Sequence, residues 1–339
     1  MLAARSLAVS LLIGLFALES ADAGEAEPAS EAVRAAVSKA LALLDKSSRE
    51  YRKERDCFSC HHQALPTLAL VEARRRGFSI DEENLQAAVA LTVKHLENGR
   101  ERYLDGRGQG GKADTAGYAL WALSAAGWKG DETTTAVAQY LVSFSQDDGY
   151  WKCSSHRPPS EASHFTTTFL ALQGLKAFGT DEQQEHIAPR RDKARAWLKE
   201  TPGKDTEDRV FRLRALRLLE ADEATIRQAA SELLATQRED GGWSQTETLD
   251  SDAYATGSAL VALVEAGGVT PGETAYRRGV QYLLQTQLDD GSWRVVSRSK
   301  PFQTYFESGF PHGKDQFISI AASSWATLAL LEMLPQESP

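Results

Sequence analysis

Gln287-Leu288-Asp289-Asp290-Gly291-Ser292-Trp293 decides the fold of this chain, because it recurs. Gln237 leads through Asp240-Gly241-Gly242 to Trp243, and Gln146 through Asp147-Asp148-Gly149-Tyr150 to Trp151. The tryptophans stand 92 and then 50 residues apart, so the wider step reads as two repeats with a degenerate block near Pro202-Gly203. Asn98-Gly99 to Tyr103 reads as another worn copy. A second series agrees: Gly77, Gly127, Gly179 and Gly267 each close an apolar segment rich in Ala, Leu and Thr, at spacings of 50, 52 and 88. Glycine just past a helical pattern is a C-cap signal, since the left-handed conformation there carries no Cβ clash.

Each repeat therefore reads as two helices. The outer one is amphipathic, as over 274–284; the inner one is apolar nearly all round, as over 253–266, and must be buried. Small residues such as Ala255, Gly257 and Ala259 let inner helices approach closely. Helix pairs are predicted to begin near Ala32, Leu85, Thr135, Ile187, Ala224 and Ala275. Six such hairpins close into a ring where neither end carries a polar capping repeat. The expectation is an all-α, closed (α/α)6 toroid forming one domain over 24–339.

Composition sets the class. At 339 residues, 42% hydrophobic and 25% charged, the chain is globular rather than disordered. A net charge of −9 without a basic stripe argues against a nucleic-acid partner. Three cysteines are too few for a disulfide framework. Residues 1–23 read as a secretory signal: Arg5, an apolar run over 7–18, then Ala21-Asp22-Ala23. That run is too short to span a bilayer, and no later one approaches the ~20 residues needed. The chain is expected to be exported, to a periplasm or the medium, without a transmembrane segment.

The repeated blocks resemble the Q-x(2–5)-G-x-W repeats of squalene and oxidosqualene cyclases, whose superfamily shares its toroid with protein prenyltransferases. Arg278-Gly279, the apolar run from Val280 to Leu284, Gln287 and Gly291-x-Trp293 follow the order found there. The resemblance implies that Gln and Trp join neighbouring hairpins, so the motif itself implies no chemistry. It also implies a central cavity ringed by the N-termini of the inner helices, holding a small-molecule or lipid-like ligand. Asp250-Ser251-Asp252-Ala253 stands where squalene-hopene cyclases carry D-x-D-D, whose middle aspartic acid protonates an alkene. Here Ala253 replaces the third acid, and the chain is about half the length of those two-domain enzymes. Asp252 also reads as the N-cap of the following helix. Asp114 shares both readings, and with Asp252 it is the one evident carboxylate pair for a carbohydrate-active enzyme.

Cys57-Phe58-Ser59-Cys60-His61 carries the C-x-x-C-H spacing of c-type haem attachment, with His61 as iron ligand. The alternative is zinc: Cys153-Ser154-Ser155-His156 adds a C-x-x-H, giving the set Cys57, Cys60, His61, Cys153 and His156. A Cys57–Cys60 disulfide is the third reading. His62, His164 and Tyr254 are placed at the cavity by their position at inner-helix starts. The long segment 295–316, with Phe302, Tyr305, Phe306 and His312, reads as an aromatic lid. Four functions stay open: a haem-bearing toroid for small-molecule binding or redox, a terpene-cyclase-like lyase or isomerase, a carbohydrate-active enzyme, and a non-catalytic binding scaffold.

Overall fold

The computed structural model describes residues 28, 30–300 and 304–336; the expected leader and Phe302 lie outside them. In chain order the α-helices are α1 (Ser30–Glu54), α2 (Leu65–Arg75), α3 (Glu82–Asn98), α4 (Arg100–Leu104), α5 (Lys112–Ala125), α6 (Glu132–Ser143) and α7 (His164–Phe178). They continue as α8 (Gln184–Glu200), α9 (Thr206–Leu218), α10 (Glu223–Leu234), α11 (Ala253–Glu265), α12 (Thr274–Thr286) and α13 (Gln316–Leu331). The described residues hold no β-strand, only two isolated bridges. No helix among them is long and apolar enough to cross a membrane.

Six helices, α2, α5, α7, α9, α11 and α13, form the inner wall, each packed on the next, and α13 returns to α2. The ring is therefore closed. The outer partners are α1, α3, α6, α8, α10 and α12, and all six expected helix-pair starts fall inside them. Asp81, Asp131 and Asp222 start three of these outer helices as N-caps, each carboxylate accepting a backbone N–H at 2.8–2.9 Å. Inner helices approach closely where glycine permits. A Cβ on Gly257 of α11 would stand 2.6 Å from the Ala326 nitrogen of α13.

The Gly-x-Trp blocks repeat atom for atom. The indole Nε1 of Trp151, Trp243 and Trp293 donates to the carbonyl ten residues back, at Leu141, Leu233 and Leu283, over 2.7–3.0 Å. Their backbone N–H groups donate to a hydroxyl on the following inner helix, Thr168, Thr256 or Ser323, over 2.9–3.1 Å. All three rings are buried. Gln237 reaches across the hairpin boundary to the Ala275 carbonyl at 2.7 Å, and Gln287 reaches Ala36 at 2.9 Å, tying the last hairpin to the first. Gln146 differs, because it is one residue out of register and exposed. There Arg190 of α8 takes over, donating to the Phe144 and Ser145 carbonyls and lying 4.0 Å from the centre of the Trp151 ring. In the repeat without a tryptophan, Arg212 Nε donates to the Leu198 carbonyl at 2.8 Å.

Two glycine expectations change. Gly77 and Gly127 do close their helices at positive φ, but at the last site Gly268, rather than Gly267, takes that conformation. Gly179 keeps φ −67 and is small for a different reason: a Cβ would meet Ile187 at 2.5 Å.

Candidate functional site

The two ends of the ring differ in how the chain connects its helices. Every inner helix begins at one end and finishes at the other. At the starting end the connections over 99–111, 144–163, 235–252 and 287–315 are long and fold across the rim. At the finishing end the connections over 76–81, 126–131, 179–183, 219–222 and 266–273 are short. The rim is consequently filled, whereas the other end opens into a cavity of about 480 Å³.

The filled rim holds most of the residues singled out in the sequence. A five-residue π-turn, Cys60–Ala64, leads into α2 and is capped by the Ser59 hydroxyl. It turns Cys60 inward, buried, to hydrogen-bond Glu161. Glu161 also pairs with Arg157. Cys153 Sγ lies 3.5 Å from Asp114 Oδ2, and the Thr167 hydroxyl donates to Asp114 Oδ1. Burial pushes the Cys60 thiol well above its usual range and Cys153 up to about 12. Burial also raises Asp114 to about 6, partly offset by its bond from Thr167. A second buried acid, Glu207 of α9, accepts from Thr166 Oγ1 at 2.8 Å and from Tyr254 OH at 3.4 Å. Desolvation holds Glu207 far above the ordinary carboxylate range.

Several expectations change here. The zinc set does not assemble: among the described residues no three His, Cys, Asp or Glu side chains form a metal group. Cys57 is exposed beside Tyr51 OH at 3.5 Å, Cys60 faces Glu161, Cys153 faces Asp114, and His156 is exposed. The three thiols are free, and Cys57 and Cys60 face different partners. A haem attached at Cys57, Cys60 and His61 would need both the Cys60 thiol and room beside His61. Cys60 is enclosed, and the space beside His61 is about 40 Å³, whereas ligand pockets run from roughly 300 Å³ upward.

The proposed acids are also separated. Asp252 is the N-cap of α11, accepting from the Ala255 nitrogen at 2.9 Å and from Gln245 Nε2 at 2.9 Å. Burial raises it to about 6, while Asp250 is exposed. Asp114 opens α5, three steps around a six-membered ring from α11, and shares no hydrogen-bond partner with Asp252. The expected cavity residues do not line the large cavity. His62 is buried against Tyr51 and Phe317, and His164 accepts the Cys153 backbone N–H at 3.0 Å with its ring tilted against Tyr150. Tyr254 bonds Glu207, and His312 sits 2.7 Å from the Ser292 hydroxyl. Phe306 packs on Tyr51 and Phe317, so the aromatic segment covers the rim, with Tyr305 exposed.

The cavity lies instead among the middle and C-terminal turns of the inner helices, with Leu68, Trp121, Phe169, Arg214, Val261 and Trp325 on its wall. Arg214 is its central group. Its side chain is only 6% exposed, and its guanidinium carbon lies 4.9, 4.7, 5.8 and 5.4 Å from the ring centres of Trp121, Phe169, Phe211 and Trp325. Nη2 is 2.7 Å from Glu265 Oε2, and Nη1 has no hydrogen-bond partner among the described residues. Sequence reasoning missed Arg214, Glu207 and Glu161. The available signal was α9 itself, an inner helix carrying Arg212, Arg214 and Arg217 where its neighbours are apolar.

The family model of the squalene-hopene cyclase C-terminal domain matches residues 205–325. A squalene–hopene cyclase of Bradyrhizobium diazoefficiens is 34% identical over 119 residues, 30% of this chain and 17% of that enzyme. Among solved structures, the ent-copalyl diphosphate synthase from Streptomyces platensis aligns with a TM-score of 0.52 at 22% identity, over 79% of this chain and 50% of that one. A protein from Actinoplanes aligns with a TM-score of 0.53 at 13% identity, over 88% and 99%. The chain thus spans half the copalyl diphosphate synthase and a smaller part of the hopene cyclase. At these identities the structural likenesses speak to the fold alone. The chain is an α/α toroid whose residues 205–325 are similar to the squalene-hopene cyclase C-terminal domain.

Proposed function

We propose that this toroid binds a small amphipathic molecule in the cavity at the C-terminal end of its inner helices, without carbocation cyclisation. The observation that carries the reading is Arg214 among its four aromatic rings. Aromatic faces stabilise positive charge, the reason a cyclase lines its cavity with them. Here a permanent guanidinium occupies that position, and at a few ångströms it repels any cation generated beside it. The acids point the same way. Asp252 caps a helix at the opposite end of the ring, and Asp250 faces solvent. What remains is a concave, partly apolar site of ligand size with a few convergent polar groups, the usual form of a small-molecule pocket.

The test has two arms. Incubation with squalene should yield no cyclic product by gas chromatography and mass spectrometry. Calorimetry should show saturable binding of dodecanoate, weakened at least tenfold by Ala125→Trp, which places a bulky ring on the half-buried cavity wall. Cyclic products, or an Ala125→Trp variant that binds like the parent, would refute the reading.

A further inference from the structure

We infer that Arg214 anchors the anionic head of the cavity's ligand, an amphipathic organic carboxylate or phosphate. This assignment rests on the cavity reading above and gives the ligand its chemistry.

The guanidinium is boxed on its faces. Trp121, Phe169 and Trp325 stand within 5.4 Å, so only the in-plane N–H groups are left to bond. One edge is taken by Glu265 at 2.7 Å. Nη1 on the other edge is unpartnered, on a side chain that is 94% buried and lines the cavity. A buried charged donor without an acceptor is costly, and an oxygen arriving edge-on from the cavity would satisfy it. The wall beside it, with Leu68, Val71, Val261 and Leu328, suits an apolar body.

Charge selects an anion over a neutral acceptor. Arg75, Lys176, Arg214 and Arg217 line the cavity against Glu72, Glu220 and Glu265. Glu72 is already held by both Arg75 and Arg76. Glu265 is 46% exposed, so water screens its pull on Arg214, whose own side chain is only 6% exposed. One force opposes the assignment: the inner helices present their carbonyl ends here, which favour cations. Two of those ends are already covered, the Leu219 carbonyl by Arg195 and the Ala266 carbonyl by Arg217. A cationic ligand would meet Arg214 directly.

A head-group series tests this with one tail. Dodecanol, dodecanoate and dodecyl phosphate are titrated by calorimetry into the intact protein. The expected result is binding of both anions roughly tenfold or more tighter than the alcohol, as one charge-assisted bond supplies. Arg214→Gln should erase that preference, so that neither anion binds the variant tighter than dodecanol does. Arg214→Lys, which keeps the charge but loses the fork, should retain the preference at reduced strength. If Arg214→Gln fails to fold, the parent series and the Lys variant still decide. Equal binding of all three probes to the parent, or an anion preference surviving in Arg214→Gln, overturns the assignment while leaving the cavity reading intact. Binding of no probe defeats the cavity reading itself. Which anion binds tighter identifies the carboxylate or the phosphate as the preferred head.

Discussion

The two ends of this ring are built from the same six helices, yet one is filled and the other open. The difference lies in connection length. Under the long segments that cross the rim, hydroxyls, thiols and acids at the inner-helix starts bond one another and the segment above them: Thr166 with Glu207, Thr167 with Asp114, Cys60 with Glu161. Short turns at the other end bring little to cover the axis, and a cavity of about 480 Å³ remains. The residues that look most chemical in the sequence therefore serve mainly to pack the rim. Arg214, whose Nη1 lies unpartnered on the cavity wall, sits where the connections are shortest. Titrations and substitutions at the rim should read as stability, and those at the open end as ligand affinity.

The largest effect should come from the rim's outer junctions. Trp243 is buried, anchored through both its indole and its backbone N–H. Trp243→Ala removes a large ring with little room for collapse, and should cost about 3–5 kcal/mol. Urea denaturation gives the value directly. A variant within 1 kcal/mol or so of the parent would mean that the repeated blocks do not hold the ring together.

That junction was also the most legible part of the molecule. Trp151, Trp243 and Trp293 repeat because each solves the same local problem, and the solution needs the same residues at the same spacing. All six hairpins follow from that spacing. Where another side chain solved the problem, the pattern faded: Arg190 stands in for a glutamine and Arg212 for an indole. The site was less legible, for two reasons. Cys57-Phe58-Ser59-Cys60-His61 is read as a unit in the sequence, but the turn into α2 sends Cys57 towards Tyr51 and Cys60 towards Glu161. The cavity was expected where inner helices begin, because the rim connections' capacity to fill that space depends on tertiary packing. Arg214 gave only a faint signal, since arginines on a helix read as a solvated face until the ring buries them.

A second effect, smaller at neutral pH, tests whether the rim's acids are structural. Glu207 is held above its ordinary pKa by desolvation, so the folded chain binds its proton more tightly than the unfolded chain does. Its favourable contribution is complete below the unfolded value near 4.5 and declines as pH rises towards the folded value. Glu207→Gln mimics the protonated acid and can still accept from Thr166 and Tyr254. The variant should match the parent at pH 4 and gain on it by at most about 1.4 kcal/mol per pH unit above that. Parallel pH–stability curves would show that Glu207 does not carry a shifted proton. A parent that instead gains on the variant as pH rises would place an ionised, paired carboxylate at the rim.

The smallest effect separates glutamines that look alike in the sequence. Gln237 donates to two carbonyls, Gly241 at 2.8 Å within its own turn and Ala275 at 2.7 Å on the next outer helix. Gln237→Ala leaves both partly enclosed acceptors without that donor, at a cost of about 1–2 kcal/mol. Gln146 also leads into a Gly-x-Trp block but lies one position off, exposed, with Arg190 already on the carbonyls of its turn. Gln146→Ala should therefore stay within about 0.5 kcal/mol of the parent. Comparing the two urea midpoints is sufficient. Equal losses would mean that the first block is held by its glutamine after all and that Arg190 is incidental. Because both glutamines belong to connections on the rim side, neither change should alter dodecanoate affinity at the open end. A shift in affinity with Gln237→Ala would show instead that the junctions and the cavity are coupled through the inner helices.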